Sequence, residues 1–259
     1  MLLVYTMAAA GSAAGQINAV PGLAEIQDEI ARLDGLGGYY DSRYRHEEQR
    51  YWEKIPVWMR EDTSRRKRAR ILDIGCGYGT LLALSTKIYG TGGHCIDVVP
   101  FLKPAFARNH NLQFSKANIE LDPIPWGVPF DVIIMTEVLE HFNFRSVPTL
   151  EKIRAALAPD GRFFLSTPDQ KEWGRRTKYY QRLEDIPELN RRQAIVDDHI
   201  WVYNKQELLA VLDQAGFVVE RLDYSPGVRL RHFNLVARRK DVPPPAPSDQ
   251  HRSTRQGLR

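Results

Sequence analysis

Three glycines in alternate positions, Gly75, Gly77 and Gly79, follow a short apolar segment and precede a run with helical spacing. Glycine has no Cβ, so these positions can adopt positive φ and let the backbone approach a ligand closely. The helix that follows would present unpaired N–H groups in its first turn. The segment therefore predicts a strand, a tight turn and a helix arranged around a nucleotide.

The spacing of the glycines narrows the choice of nucleotide. A dinucleotide fingerprint reads G-x-G-x-x-G, whereas this turn reads G-x-G-x-G and has Asp73 two positions upstream. The difference argues against a nicotinamide-dependent oxidoreductase. The pattern resembles motif I of class I S-adenosylmethionine-dependent methyltransferases, and this resemblance implies S-adenosylmethionine as the cofactor.

Later segments follow the order of the same family. Residues 94–96 predict a second strand that ends at Asp97, whose carboxylate can accept hydrogen bonds from both ribose hydroxyls. Residues 114–119 predict a third strand and its exit, where the family places a polar residue against adenine. Asn118 stands there, although the family more often has Asp. The resemblance assigns cofactor binding to Asp73, Gly75, Cys76, Gly77, Asp97, Val98, Asn118, Ile119 and Thr136.

Alternating strand and helix patterns predict an α/β fold. Strands near Ile71, Cys95, Phe114, Val132 and Phe164 with helices between them call for a parallel sheet with right-handed crossovers. A helical pattern at 205–215 and two apolar segments, 216–219 and 233–236, follow. In the family these two segments form an antiparallel pair at the sheet edge. We therefore expect a Rossmann-like, doubly wound, seven-stranded sheet that is mostly parallel with an antiparallel edge hairpin.

The chain divides into four predicted parts. Residues 1–21 lack the cationic start of a secretory signal and are expected to form a mobile leader or a partner-binding arm. N-terminal helices at 22–64, as part of a substrate lid, precede a methyltransferase domain at 65–240. Residues 171–198 are too long for an ordinary connection and are predicted to be a lid insertion. The proline-rich and basic residues 241–259 are predicted to be a disordered tail.

Aromatic residues in the N-terminal part have two interpretations. In the resembling family, N-terminal helices often lie over the cofactor, which makes Tyr39, Tyr40, Tyr44 and Trp52 candidates for the substrate pocket. The alternative is that these side chains pack in the core, and the sequence favours this interpretation slightly.

Composition sets limits on the class of protein. The chain has 259 residues, of which 43% are hydrophobic, enough for a sizeable core. No apolar run reaches the roughly 18 residues that a membrane span requires. The two cysteines, Cys76 and Cys95, favour reduced thiols in a cytoplasmic protein, and no disulfide is expected.

Basic residues are concentrated in clusters at 65–70, 175–178 and 238–240, and the net charge is +4. Such clusters can meet phosphates. They are also common as solvated charges beside buried strands, which is the interpretation that the sequence favours. A nucleic-acid partner is therefore not expected, although it stays open.

The segment after the fourth predicted strand carries the candidate chemistry. Glu137, Glu140 and His141 stand at i, i+3 and i+4, so a helix here would place them on one face. With His199 they make a candidate site for a divalent metal. The set resembles quinone-biosynthesis O-methyltransferases, which carry a similar Glu-x-x-Glu-His, and metal-dependent small-RNA 2′-O-methyltransferases, which also use a later histidine. Alternatively, the two glutamates cap a helix without binding metal.

A small-molecule methyltransferase is the leading functional hypothesis. The acceptor would be a hydroxyl of a phenol, quinone precursor, sugar or secondary metabolite, with His199, His141 or Glu140 as the catalytic group that removes or orients its proton. A metal-dependent RNA 2′-O-methyltransferase and a non-catalytic scaffold with the same fold are the alternatives. The oligomeric state stays open.

Overall fold

The computed structural model describes residues 21–241 except 65, 67, 128, 175–178 and 226–230. The sheet contains seven strands: β1 (Ile71–Ile74), β2 (Gly93–Asp97), β3 (Leu112–Lys116), β4 (Phe130–Thr136), β5 (Leu157–Pro168), β6 (Phe217–Tyr224) and β7 (His232–Arg239). The helices are α1 (Leu23–Asp34), α2 (Arg45–Trp52), α3 (Ile55–Asp62), α4 (Thr80–Tyr89), α5 (Pro104–Asn109), α6 (Ser146–Ala156), α7 (Gln170–Trp173) and α8 (Lys205–Gln214). A π-helical turn covers Tyr40–Tyr44, and 3₁₀ turns cover Leu139–His141 and Leu183–Asp185.

The strands are ordered β3-β2-β1-β4-β5-β7-β6 across the sheet. Strands β1 to β5 pair in parallel, whereas β7 is antiparallel to both β5 and β6. This is the predicted Rossmann-like α/β fold with an antiparallel edge pair, so the fold class is confirmed. The order reverses beside β1, because β2 lies on one side of it and β4 on the other. Ligands of open α/β sheets bind beyond the carboxyl ends of strands at such a point.

Two hydrophobic clusters fill the two faces of the sheet. Successive residues of a strand point to opposite faces, and accordingly Ile71 belongs to one cluster while Leu72 belongs to the other. Helices α1, α3 and α4 pack with the first cluster, and α6 and α8 with the second. All four β1 residues are buried, which explains why the strand before the glycine turn reads as continuously apolar apart from Asp73.

The N-terminal helices are joined to the sheet by buried polar contacts. Tyr40 donates its hydroxyl hydrogen to Glu48 Oε1 at 2.8 Å and lies 3.1 Å from Thr80 Oγ1 at the start of α4. Gln27 Nε2 also donates to Glu48 Oε1, at 2.8 Å. These contacts hold α1, α2 and α4 together at the start of the helix that follows the glycine turn.

Several predicted features fall outside the described residues. They are the leader, apart from Pro21, the tail beyond Asp241, and the basic cluster at 175–178. No helix within the described ranges has the length and apolar character that crossing a membrane requires.

Candidate active site

The glycine turn has the backbone conformation that the sequence predicts. Gly75, Gly77 and Gly79 have φ values of 74°, 53° and 86°. A Cβ on Gly75 would lie 2.2 Å from Val138 Cγ2, so the turn packs directly under the segment that follows β4. The turn therefore lies against the end of β4. Position 75 requires glycine both for its positive φ and because Val138 leaves no room for a Cβ.

Two aspartates lie next to the turn, Asp73 on β1 and Asp97 at the end of β2. Asp97, at the end of β2, accepts hydrogen bonds from the N–H groups of Gly77 at 2.8 Å and Val99 at 2.9 Å. Burial raises the pKa of Asp97, although these backbone donors oppose the change. Asp73 is buried, and no described residue hydrogen-bonds to its Oδ1. Burial, with the nearby charge of Asp97, raises the pKa of Asp73 to about 8.

The expectation of free cysteines is wrong. Cys76, in the glycine turn, forms a disulfide with Cys95 on β2, and their Cα atoms are 5.8 Å apart. Parallel pairing of β1 and β2 sets Asp73 beside Cys95, and the turn then brings Cys76 back over the same strand. Composition alone does not reveal this proximity, which depends on strand register. The prediction of a cytoplasmic location loses the support that it drew from reduced thiols.

A cavity of about 470 Å³ lies over the carboxyl ends of β1, β2, β3 and β4. The predicted cofactor residues that line it are Gly75, Asp97, Val98, Asn118 and Ile119. Asp73, Cys76, Gly77 and Thr136 are adjacent in sequence or fold and do not line it. The cavity mouth is apolar and partly open to solvent, with exposed Val98, Val99, Phe101, Ile195 and Val196.

Three of the four predicted metal ligands are close together. One ligand atom from each of Glu140, His141 and His199 lies within 4.8 Å of the others. Glu140 is fully buried, and its Oε2 accepts a hydrogen bond from Thr167 Oγ1 at 3.0 Å. Its Oε1 has no hydrogen-bond partner among the described residues. The donor set of one carboxylate and two imidazoles suits a divalent transition metal such as zinc.

The electrostatics of this cluster follow from burial. Burial raises the pKa of Glu140 well above its ordinary value, and the charge of Glu137 adds to the effect. Burial lowers the pKa of both His141 and His199. The imidazoles are therefore favoured in the neutral form, in which each has a nitrogen lone pair for a metal or a proton.

Glu137 does not share a helical face with this cluster. It has a φ of 55°, and only Leu139–His141 form a short 3₁₀ turn, so the α-helical spacing considered from the sequence is absent at 137–141. Its carboxylate instead accepts a hydrogen bond from Ser166 Oγ at 2.8 Å and lies 2.8 Å from His232 Nδ1.

The predicted lid has little regular structure in its described part, and side chains missed by the sequence analysis hold it in place. Asn143 Oδ1 accepts from Val196 N at 2.8 Å, and Asn143 Nδ2 donates to Val196 O at 3.0 Å. Glu120 accepts from the N–H groups of Asn143 and Phe144, both at 2.9 Å. The backbone of Glu140 also accepts from Ile200 N at 2.7 Å. These bonds bring the lid edge at Val196 to the cavity, which His141 also lines, whereas Glu140 and His199 do not line it.

The N-terminal aromatic residues lie mostly in the core. Tyr40 and Trp52 are buried in the first hydrophobic cluster, and Tyr39 is exposed. Tyr44 packs at 5.4 Å, centroid to centroid, from Tyr78 in the glycine turn. None of these four lines the described cavity, which favours the packing interpretation.

Comparison with known families and structures gives a consistent result. Residues 44–222 match the model of a family described as a methyltransferase domain. A search of curated proteins gave no match.

Three solved structures illustrate the likeness in fold. A Burkholderia thailandensis 1,6-didemethyltoxoflavin-N1-methyltransferase, solved with bound 1,6-didemethyltoxoflavin and S-adenosylhomocysteine, has a TM-score of 0.57 at 20% identity, over 83% of this chain and 89% of that one. Magnesium protoporphyrin IX methyltransferase from Synechocystis PCC 6803 has a TM-score of 0.56 at 16% identity, over 83% and 93%. The [4+2]-cyclase SpnF has a TM-score of 0.55 at 16% identity, over 73% and 81%. At these identities the likeness establishes the fold and leaves the reaction to the site.

Proposed function

Because this chain belongs to the methyltransferase-domain family, we propose that it transfers a methyl group from S-adenosylmethionine to a hydroxyl of a small molecule. One observation carries the proposal. The cavity over the switch point of the sheet is lined both by Asp97 and Asn118, from the predicted cofactor site, and by Glu137, Val138 and His141, from the predicted acceptor site. A nucleoside and an acceptor can thus lie side by side in one space.

The residues fit the proposed cofactor in two respects. Asp97 is fixed by two backbone donors, and its oxygens retain lone pairs that ribose hydroxyls can use. Gly75 lines the same cavity, and its positive φ lets the backbone lie close to the amino-acid moiety. When bound, S-adenosylmethionine supplies an activated methyl group on a positively charged sulfur with a neutral leaving group.

The protein's part in the reaction is then mainly positioning. The acceptor oxygen, the methyl carbon and the sulfur must lie nearly in line, and water must be excluded. The lid edge at Val196 and the apolar cavity mouth would exclude water. In a site without metal, His199, His141 or Glu140 would orient the acceptor and take its proton, because the lowered pKa of each histidine leaves one nitrogen without a proton.

Metal binding is part of the proposal. Glu140, His141 and His199 would hold a divalent cation, which would supply charge to lower the pKa of the acceptor hydroxyl. The unsatisfied Glu140 Oε1 is the feature that fits a cation best. The role of Glu137 as a fourth ligand has less support, because Ser166 and His232 occupy its carboxylate.

An apolar phenol or quinone precursor is the favoured acceptor. The mouth of the cavity presents the exposed side chains of Val99, Phe101 and Ile195. Large exposed apolar side chains around a cavity are typical of a binding site for an apolar group. A sugar would find fewer polar partners there.

An RNA 2′-O-methyltransferase is the second candidate, and the grouping of Glu140, His141 and His199 favours it. The basic residues argue against it, because several are already paired with carboxylates. Arg66 lies 3.1 Å from Asp131, and Arg238 lies 3.3 Å from Glu220. Paired cations contribute less to phosphate binding. Strong RNA binding that weakens steeply with salt would favour this second candidate.

The test begins with calorimetric titration of S-adenosylmethionine into the wild type and two variants. Asp97→Ala should weaken binding at least tenfold, whereas His199→Ala should leave the cofactor Kd within about twofold of wild type and lower turnover. Turnover is measured as transfer of labelled methyl to a panel of phenols, catechols and sugars. Lack of cofactor binding by the wild type would refute the proposal and favour a non-catalytic scaffold.

The metal is tested separately. Zn²⁺ binding is measured by calorimetry in wild type and in Glu140→Gln, after treatment with a chelator. We expect binding to wild type and loss in the variant. Full turnover in metal-free buffer would refute the metal part of the proposal and leave methyl transfer standing.

A further inference from the structure

The disulfide between Cys76 and Cys95 lies inside the predicted cofactor site. Cys76 stands between Gly75 and Gly77 in the glycine turn, and Cys95 stands two residues before Asp97 on β2. Gly75 and Asp97 both line the cavity. One covalent bond therefore joins the two segments that carry these two predicted cofactor contacts.

Two hydrogen bonds flank the disulfide and run between the same two segments. Gly75 N donates to Ile96 O at 2.7 Å, and Gly77 N donates to Asp97 Oδ2 at 2.8 Å. The second bond orients the carboxylate that is predicted to bind the ribose. A displacement of the turn relative to β2 would lengthen this bond and leave the Asp97 side chain free to rotate.

Breaking the disulfide must displace the turn rather than the strand. Sulfur atoms that are no longer bonded have to move apart, because a disulfide holds them closer than non-bonded atoms can lie. Cys95 is fully buried on a strand that pairs with β1 on one side and β3 on the other. Cys76 is also buried, so in a closely packed interior its side chain has little room to rotate unless the turn moves with it. The turn follows the last residue of β1, Ile74, and takes up the displacement.

We propose that Cys76 and Cys95 form a redox switch, in which reduction by a dithiol weakens the binding of S-adenosylmethionine. The inference rests on the proposed function, because it concerns the same cofactor site. One thiolate of the dithiol attacks Cys76 Sγ, since Cys76 is 9% exposed and Cys95 is 0% exposed. The disulfide bond breaks with its electron pair on Cys95 Sγ, which takes a proton. The second thiolate of the dithiol attacks the mixed disulfide, closes a cyclic disulfide and releases Cys76, which also takes a proton.

Two properties of the chain make this switch measurable. Cys76 and Cys95 are its two cysteines, so a response to a dithiol has a single source. The coupling between cofactor and disulfide must also be reciprocal: the factor by which reduction raises the cofactor Kd equals the factor by which bound cofactor favours the disulfide. Couplings between two sites are typically about 5- to 150-fold.

Calorimetric titration with S-adenosylhomocysteine tests the direct effect. Dithiothreitol is the dithiol, and the protein is first treated with a chelator so that no metal is exchanged. The Kd of the wild type should rise at least about fivefold on reduction. Cys95→Ala cannot form the disulfide, so its Kd should be the same with and without dithiothreitol. An unchanged Kd in the wild type would overturn the proposal, as would a rise of the same size in Cys95→Ala, because dithiothreitol would then act elsewhere.

The reciprocal effect needs only the wild type, so the test stands even if Cys95→Ala does not fold. The protein is equilibrated with mixtures of reduced and oxidised dithiothreitol, with and without saturating S-adenosylhomocysteine, and its thiols are counted by alkylation and mass spectrometry. The bound nucleoside should raise the ratio of reduced to oxidised dithiothreitol at which half of the disulfide is open, by the same factor as the change in Kd. No shift, or a shift in the other direction, would overturn the proposal.

Failure of the switch and failure of the proposed function give different results. A wild type that binds S-adenosylhomocysteine in neither redox state would refute the proposed function. Equal binding in both states would refute the switch alone and leave the proposed function standing.

Discussion

Replacing Gly75 by alanine adds one methyl group at the base of the predicted cofactor turn. Two costs follow from the structure. The residue has a φ of 74°, where a side chain costs about 1–2 kcal/mol. The new Cβ would also lie 2.2 Å from Val138 Cγ2, and overpacking of this kind costs about 1–3 kcal/mol. Gly75→Ala should therefore lower the free energy of unfolding by about 2–5 kcal/mol.

Gly90 supplies a matched control. It ends α4 with a φ of 63°, and a Cβ there would meet no described atom within 4 Å. Gly90→Ala should show only the conformational cost, about 1–2 kcal/mol. The difference between the two variants measures the crowding against Val138.

A second substitution isolates the crowding directly. In Gly75→Ala combined with Val138→Ala, the contact partner is gone, and a double-mutant cycle should show about 1–3 kcal/mol of recovered stability. Urea unfolding followed by circular dichroism gives each free energy. Equal losses in Gly75→Ala and Gly90→Ala, with no coupling to Val138, would refute the reasoning.

Three further predictions concern pH, the disulfide and the lid. Burial raises the pKa of Glu48 from 4.5 to about 7. Between these two pH values Glu48 ionises in the unfolded state but keeps its proton in the folded state, so stability should fall by about 3 kcal/mol as pH rises through this range. Glu48→Gln should flatten this dependence in urea unfolding and be the more stable form at pH 8. Replacing Cys76 and Cys95 by serine should lower the free energy of unfolding by about 3 kcal/mol, as the loop-entropy relation gives for this disulfide. If both thiols of the unreduced wild type react with an alkylating agent, the disulfide is contradicted. Asn143→Ala should remove the two hydrogen bonds to Val196, each of which contributes about 0.5–1.5 kcal/mol to stability. Amide hydrogen exchange at Val196 should therefore become faster. Unchanged exchange would show that other contacts hold the lid.

Much of the fold could be predicted from local sequence patterns. The glycine turn is a local signal, because alternate glycines constrain φ within a few residues, and the structure confirms positive φ at Gly75, Gly77 and Gly79. The strands and α8 were predicted from periodicity in the same way. Asp97 lies at the end of its strand, and this position alone brings it to the switch point.

The rest of the site depends on contacts between distant parts of the chain. The disulfide depends on the register of β1 against β2, whereas composition predicted free cysteines. His232 contacts Glu137 across the sheet, and a single histidine before an apolar strand gives no signal of that partner. Helical spacing suggested that Glu137 and Glu140 act together, but a positive φ at Glu137 turns its side chain to a different set of partners.

Asn234 on β7 connects the two ends of the described chain. Its side chain donates to Tyr51 O at 2.8 Å and accepts from Lys54 N at 3.1 Å, so the junction of α2 and α3 is fastened to a strand that is made some 180 residues later. On the ribosome, the N-terminal helices must therefore wait for β7 before they can dock fully.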